Sequence, residues 1–275
     1  MSPTNPREAA FPARLSLKKR FKRYLFDRYF RWEADTLTAP PETIVNERFQ
    51  RDATQMRLAL INPGMLDWRN VRLFDYCIPR LPSDAPLLEI GSFAGLSLNN
   101  LVYLARKYGR PNAIFSVDNW SLGAHHGYRV TEEFEVEFDA YRPHVIETFR
   151  RNVQLFSADR LPHHLELNSD AFFNCWAAGE KLTDFFGRTV KLGGPISFAY
   201  IDGDHSYEQS RRDFDNVNRY LEPGGFIVFD DSADTARSPR GTIWGSNRTA
   251  REAASLPSYR VIDKSYHYCI QKIIG

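Results

Sequence analysis

Three cysteines in 275 residues, Cys77, Cys175 and Cys269, lie far apart in the chain and form no Cys-x-x-Cys pair, so neither a disulfide framework nor a zinc site is indicated. No apolar run approaches the ~20 residues that a membrane span requires, and the N-terminus lacks the apolar centre of a secretory signal. An excess of one charge is missing too. The formal net charge is +2 and the pI about 8.4, too mild to imply a nucleic-acid partner. There are no internal repeats and no low-complexity tract. The Gly-x-Gly-x-x-Gly fingerprint of nicotinamide enzymes and the Ser-His-Asp elbow are also absent. These absences point to a soluble cytoplasmic protein. With 43% hydrophobic residues the chain can bury one sizeable core and carry an extension.

Basic charge is concentrated near the start. From Ala10 to Trp32, Leu17, Phe21, Leu25, Tyr29 and Trp32 recur at helical spacing with basic residues in most gaps, which predicts an amphipathic basic helix. Such a helix packs its aromatic face on its own domain or on a second subunit of a homo-oligomer. Alternatively, residues 10–33 make peripheral contact with an anionic membrane or an acidic partner. After "TAPPETIV" a polar stretch runs to about Asn62, and "MLDWRNVRLFDYCIPRLP" again has helical spacing, ending at Pro79 and Pro82. A boundary near residue 80 separates a helical basic extension, 1–80, from the main domain, 81–275.

Within that domain strands and helices alternate. "PLLEIG", "AIFSVD", "HHLELN", "ISFAYID" and "FIVFDD" are apolar strands. "LSLNNLVYLARKYG", "AFFNCWAAGEKLTDFFG" and "YEQSRRDFDNVNRYLEPGG" are helices, and a short one starts at about Arg248. Residues 119–160 form a polar and aromatic insertion with two helices and no strand; with the loop 231–246 it is expected to cover the substrate. "SYRVID" and "YHYCIQKI" make a terminal hairpin. The expected fold is α/β, a doubly wound, mainly parallel seven-stranded sheet with helices on both faces and a C-terminal antiparallel hairpin at its edge.

Ligands of open parallel sheets bind beyond the carboxyl ends of the strands, which singles out the residues just after each strand. The turn "LLEIGSFAGLS" offers Glu89, Gly91, Ser92, Phe93 and Gly95, with glycine where the backbone bends sharply. Asp118, followed by Asn119, can accept hydrogen bonds from both ribose hydroxyls of a nucleoside or cap a helix. Asp170 and Ala171, before Phe172, stand where an adenine ring would lie, or Asp170 is an N-cap. Further on, "YIDGDHSYE" and "FDDS" end two successive strands. If those strands are neighbours, Asp202, Asp230 and Asp231 converge, and three carboxylates with no Lys or Arg beside them call for a cation. Oxygen ligands favour Mg²⁺, with Mn²⁺ or Ca²⁺ as alternatives. His205, three residues after Asp202, is spaced as a general base; Asp204 caps the following helix and Glu208 is a first-turn acid. A plainer reading makes Asp204 and His205 caps and the Asp230–Asp231 pair a solvated turn.

These ordered motifs resemble the S-adenosylmethionine-dependent methyltransferases of the Rossmann-like fold, from Leu87 to the C-terminus. The resemblance implies that Glu89, Gly91, Ser92, Phe93 and Gly95 hold the methionine end of the cofactor. It places Asp118 and Asn119 at the ribose, Asp170 and Ala171 at the adenine, and Asp202 at the cofactor's edge. Asp-x-x-His after the fourth strand with paired acids after the fifth is similar to the metal-dependent sugar O-methyltransferases of the macrocin and mycinamicin type, and to the cephalosporin hydroxylase-like group. That similarity implies Asp202, Asp230 and Asp231 as magnesium ligands and His205 as base. No Asn-Pro-Pro-Tyr segment follows the fourth strand, which counts against methylation of base amino groups. The expected activity is methylation of a hydroxyl on a sugar, glycan or glycosylated small molecule. The rival is a non-catalytic cofactor-binding accessory protein anchored by its basic helix. Trp120, Tyr128, Trp244, Arg240, His125 and His126 are expected near the acceptor, whereas His163 and His164 point to opposite faces of a strand.

Overall fold

The computed structural model describes residues 52–121, 128–129, 135–235 and 243–274, with backbone alone at 128–129, 135–136 and 138. The predicted basic helix, His125, His126, Arg240 and part of the 231–246 loop lie outside the described residues. The described residues belong to a unit that spans Glu42–Gly275.

Helix α1, Ala53–Ile61, falls where a polar stretch was expected. Asp52 accepts from the Gln55 amide while the Gln55 side chain accepts from the Asp52 amide, a capping box that starts the helix despite little apolar periodicity. Helix α2, Trp68–Cys77, begins at Asp67, whose side chain accepts from the Arg69 amide. Its Leu73, Phe74 and Cys77, with Ile78 just beyond, are buried in the main core, and Phe74 packs edge-on against Phe198 and Tyr200. Arg72 of α2 also pairs with the buried Asp263 at 2.5 Å. The boundary expected near residue 80 therefore falls inside the folded unit, because α2 covers the sheet rather than preceding it.

In chain order the strands are β1 (Leu87–Ile90), β2 (Ile114–Val117), β3 (Tyr128–Arg129), β4 (Glu135–Val136), β5 (His163–Leu165), β6 (Lys181–Thr183), β7 (Thr189–Lys191), β8 (Ile196–Ile201), β9 (Leu221–Phe229), β10 (Tyr259–Asp263) and β11 (Cys269–Lys272). Among them lie α3 (Leu96–Lys107), α4 (Phe138–Phe156), α5 (Ser169–Ala178), α6 (Tyr207–Tyr220) and α7 (Gly245–Ala254). The seven-stranded sheet has the order β10-β11-β9-β8-β1-β2-β5. Strands β5, β2, β1, β8 and β9 are parallel neighbours, as expected for a doubly wound sheet. Along the central strands alternate side chains enter two cores. Leu87, Phe198, Tyr200 and Val228 meet α2, α3 and α4, while Leu88, Ala199, Ile201 and Phe229 meet α5, α6 and α7.

Three details differ from the sequence expectation. The antiparallel member of the C-terminal hairpin, β11, sits inside the sheet between β9 and β10, so the edge strand β10 runs with the parallel set. The helix expected over 171–187 stops at Ala178, where Gly179 adopts a left-handed conformation, and β6 and β7 follow as a small hairpin. The described residues of the insertion hold the two-residue β3–β4 ladder and one long helix, α4, plus a short 3₁₀ turn. Finally, Cys77 and Cys269, 192 positions apart, lie with their Sγ atoms 3.6 Å apart in the core.

Candidate active site

Backbone strain marks one end of the sheet. Among the described residues the three non-glycine residues with positive φ are Phe93 (41°), Trp120 (48°) and Asp231 (45°), and they follow β1, β2 and β9. Each such conformation costs about 1–3 kcal/mol and persists where the surroundings impose it. Gly91, at φ 87°, is required by contact as well: a Cβ there would lie 2.0 Å from the Asp202 carbonyl oxygen. The turn after β1 is thus pressed against the end of β8. Gly95, at φ 83°, caps α3, and the space its Cβ would need is occupied by Val153 and Phe149 of α4, so the structure gives it a packing role.

Glu89 is fully buried, and neither carboxyl oxygen has a hydrogen-bond partner. Burial pushes its pKa up to about 8, against the pull of the Ser97 and Ser92 hydroxyls, and the charge of Asp118 adds to the rise. Asp118 itself ties the turn together, accepting from the amides of Ser92 (2.9 Å), Phe93 (3.0 Å) and Trp120 (2.7 Å). Asn119 opens the next loop with its side chain on the Ser121 amide and its carbonyl on Arg142, which also reaches Glu166 just after β5.

The N-cap of α5 is Asn168, which accepts from the Ala171 amide at 2.8 Å. Asp170 instead meets Arg212 (3.3 Å) and Asn216 (3.2 Å) on α6, where it serves helix packing. Trp120, expected near the acceptor, is instead wholly buried, edge-on to Phe149 and tilted against His164, so it offers an acceptor no surface. Asp204 binds the Ser206 amide in the turn, and Ser206 is the cap of α6. His163 and His164 do point apart, to Asp184 and to Ser116.

The acidic cluster forms as the strand order requires. Asp202, Asp230 and His205 each offer a ligand atom within 4.8 Å of the others. His205 Nε2 stands 3.8 Å from Asp202 Oδ1 and 3.8 Å from Asp231 Oδ2. Burial holds the Asp202 carboxyl well above the usual carboxylate range, and the adjoining Asp230 and Glu89 push it further. Asp231 is raised by burial and by Asp230, with His205 opposing. The trio that clusters most tightly includes His205 and leaves out Asp231, whereas the sequence reading grouped the three aspartates. Asp231, with its left-handed backbone, meets the cluster through His205. Trp244, before α7, packs its ring 5.2 Å from the His205 ring.

Residues 88–232, just over half of the chain, match the sequence family described as "Methyltransferase domain". The chain belongs to this methyltransferase-domain family. The SAH complex of an O-methyltransferase from Bacillus cereus superposes with a TM-score of 0.50 at 15% identity, covering 84% of this chain and 95% of that one. An SAH-bound methyltransferase from Podospora anserina gives 0.52 at 11% identity, covering 97% and 100%. These likenesses establish the fold. An uncharacterized protein of Acanthamoeba polyphaga mimivirus is 44% identical over 49 residues, 18% of this chain and 22% of that protein.

Around the methyltransferase core stand residues that motif reading passed over. Asn70 of α2 donates to the Tyr200 hydroxyl at 3.1 Å and to Asp230 Oδ1. His267, in the β10–β11 loop, lies 3.6 Å from both Asp230 and Asp67. Burial alone would lower its pKa, but Asp67 and Asp230 outweigh burial and raise it. Both lie outside 88–232, in segments whose sequence shows no motif, and the folded sheet alone brings them to the acids.

Proposed function

We propose that this methyltransferase moves the methyl group of S-adenosylmethionine to a hydroxyl of a sugar or glycosylated small molecule, with a divalent cation at the acidic cluster and His205 as general base. The observation that carries this reading is the convergence of Asp202, Asp230 and His205 at the ends of neighbouring strands. Mutually repelling carboxylates held together in a half-buried site fit a cation better than they fit solvent. Glu89 supports the cofactor half: a buried carboxyl with neither oxygen hydrogen-bonded among the described residues, and only the Ser92 and Ser97 hydroxyls acting on it, suits the ammonium of an amino-acid ligand.

Bound S-adenosylmethionine supplies an electrophilic methyl group on a sulfonium. A cation held by Asp202 and Asp230, with Asp231 beside them, supplies positive charge that lowers the pKa of a nearby hydroxyl. The residues of the chain do the rest. With the cofactor bound, His205 would take the hydroxyl proton as the oxygen attacks the methyl carbon and the carbon–sulfur bond breaks, which would leave a thioether. Asp202 and Asp231, each 3.8 Å from Nε2, stand beside the nitrogen that takes the proton. Trp244 gives a sugar ring an aromatic surface beside the base.

The test is calorimetric titration of S-adenosylmethionine, followed by methyl-transfer assays with and without EDTA. A deletion strain is then searched by untargeted mass spectrometry for a metabolite or glycan lighter by one methyl group. Binding of the cofactor with EDTA-sensitive turnover is expected. Full turnover in excess EDTA removes the cation, and failure to bind the cofactor removes the whole reading.

A further inference from the structure

The acidic cluster is braced from outside the segment that the family match covers. Asn70 is wholly buried on α2, and its Nδ2 bridges the Tyr200 hydroxyl and Asp230 Oδ1. His267, 5% exposed, brings Nδ1 to 3.6 Å from that same Oδ1 and Nε2 to 3.6 Å from Asp67 Oδ2, ion-pair contacts rather than hydrogen bonds. Asp67 is fixed in turn, since it caps α2 and pairs with Arg69. Both contacts reach Asp230 on one oxygen, and neither takes Oδ2. Asp230 directly precedes the strained Asp231, at a point where the strand has just ended. A carboxylate there has two free torsions unless neighbours hold it.

We infer that Asn70 and His267 are positioning residues for the cation site, holding the Asp230 carboxylate through their contacts with Oδ1. The inference rests on the cation reading above. Groups that orient a ligand in this way commonly change metal affinity 10- to 100-fold when removed, without touching the metal. The arrangement also accounts for two polar residues buried far from any motif, because an amide and an imidazole in a core are costly unless they serve a partner.

The experiment titrates Mn²⁺ alone into the full chain, without cofactor, and measures affinity by calorimetry. Asn70→Leu keeps the volume and removes the donor; His267→Leu removes the second grip. Each is expected to weaken Mn²⁺ about 10- to 100-fold. Leu73→Ala, a cavity in the same helix that does not touch Asp230, is expected to lower Tm yet leave Mn²⁺ affinity unchanged. If Asn70→Leu does not fold, His267→Leu carries the test. Wild-type affinity in the two variants, or an equal loss in Leu73→Ala, overturns the inference while leaving the cation reading in place. A wild-type protein that binds no Mn²⁺ overturns both.

Discussion

Asp202 and Asp230 face each other across the ends of two parallel strands, because β8 and β9 are in register from Phe198 opposite Phe226 to Ile201 opposite Phe229. A slip of one residue would send one of the carboxylates to the other face of the sheet. The register thus sets the repulsion from Asp230 that adds to burial in holding Asp202 above the usual carboxylate range.

Removing that charge separates cation binding from folding. Asp202→Asn is expected to melt at a higher temperature than the wild type in EDTA near neutral pH, since it relieves like-charge repulsion. It is also expected to lose stabilisation by added Mn²⁺ and to lose turnover, with cofactor affinity largely kept. Scanning fluorimetry with and without Mn²⁺ checks the first two points, and an equal Mn²⁺ shift in the variant would sink them.

Glu89 makes the ligand-free protein sensitive to alkali. Its folded pKa, about 8, lies above the ordinary 4.5, so its contribution is full below about pH 4.5 and is lost as pH rises toward 8. Stability should therefore fall across that window in the wild type, and fall less in Glu89→Gln. Melting curves from pH 5 to pH 8 decide it. Parallel curves would show that Glu89 is not the group responsible.

His205 is a base in this reading, although its ring also lies within ligand distance of the cluster. His205→Ala should lower kcat by about 10²- to 10⁴-fold, the usual value of general-base assistance, with Mn²⁺ affinity held. Affinity falling in step with kcat would make His205 a ligand instead.

Gly91→Ala tests the close approach of the β1 turn to β8. Left-handed backbone costs an alanine about 1–2 kcal/mol, and the clash with the Asp202 carbonyl adds to that. A large drop in the urea midpoint together with loss of cofactor binding is expected. An unchanged midpoint would mean that the turn can open.

The helix before residue 80 belongs to the core, so a chain beginning at residue 81 should not fold cooperatively. Asp263→Ala, which takes the carboxylate partner from the buried Arg72, should cost about 3–5 kcal/mol in denaturant unfolding. A folded 81–275 fragment by circular dichroism would contradict this placement of α2.

Much of the fold was legible because burial on both faces writes central strands as short apolar runs, as in Leu87–Ile90 and Ile196–Ile201. The acids were legible for the same reason: Asp118, Asp202 and Asp230 each stand immediately after such a run. Where local signals were weak the reading failed. The helix after Asp52 has little apolar periodicity, and the β6–β7 hairpin exposes polar residues on a run of only three positions per strand. Asp170 lies at a suitable spacing, yet Arg212 and Asn216, over forty positions later, claim its carboxylate.

The sequence by itself therefore determined the alternation of strands and helices and the chemistry available at the strand ends, since both follow from local patterns of apolar and charged residues. Only the tertiary structure decided which groups share a site. Asn70 and His267 reach Asp230 from positions 160 residues before it and beyond the family segment, and Cys77 meets Cys269 across 192. Such meetings depend on strand order and helix packing, which no local pattern encodes.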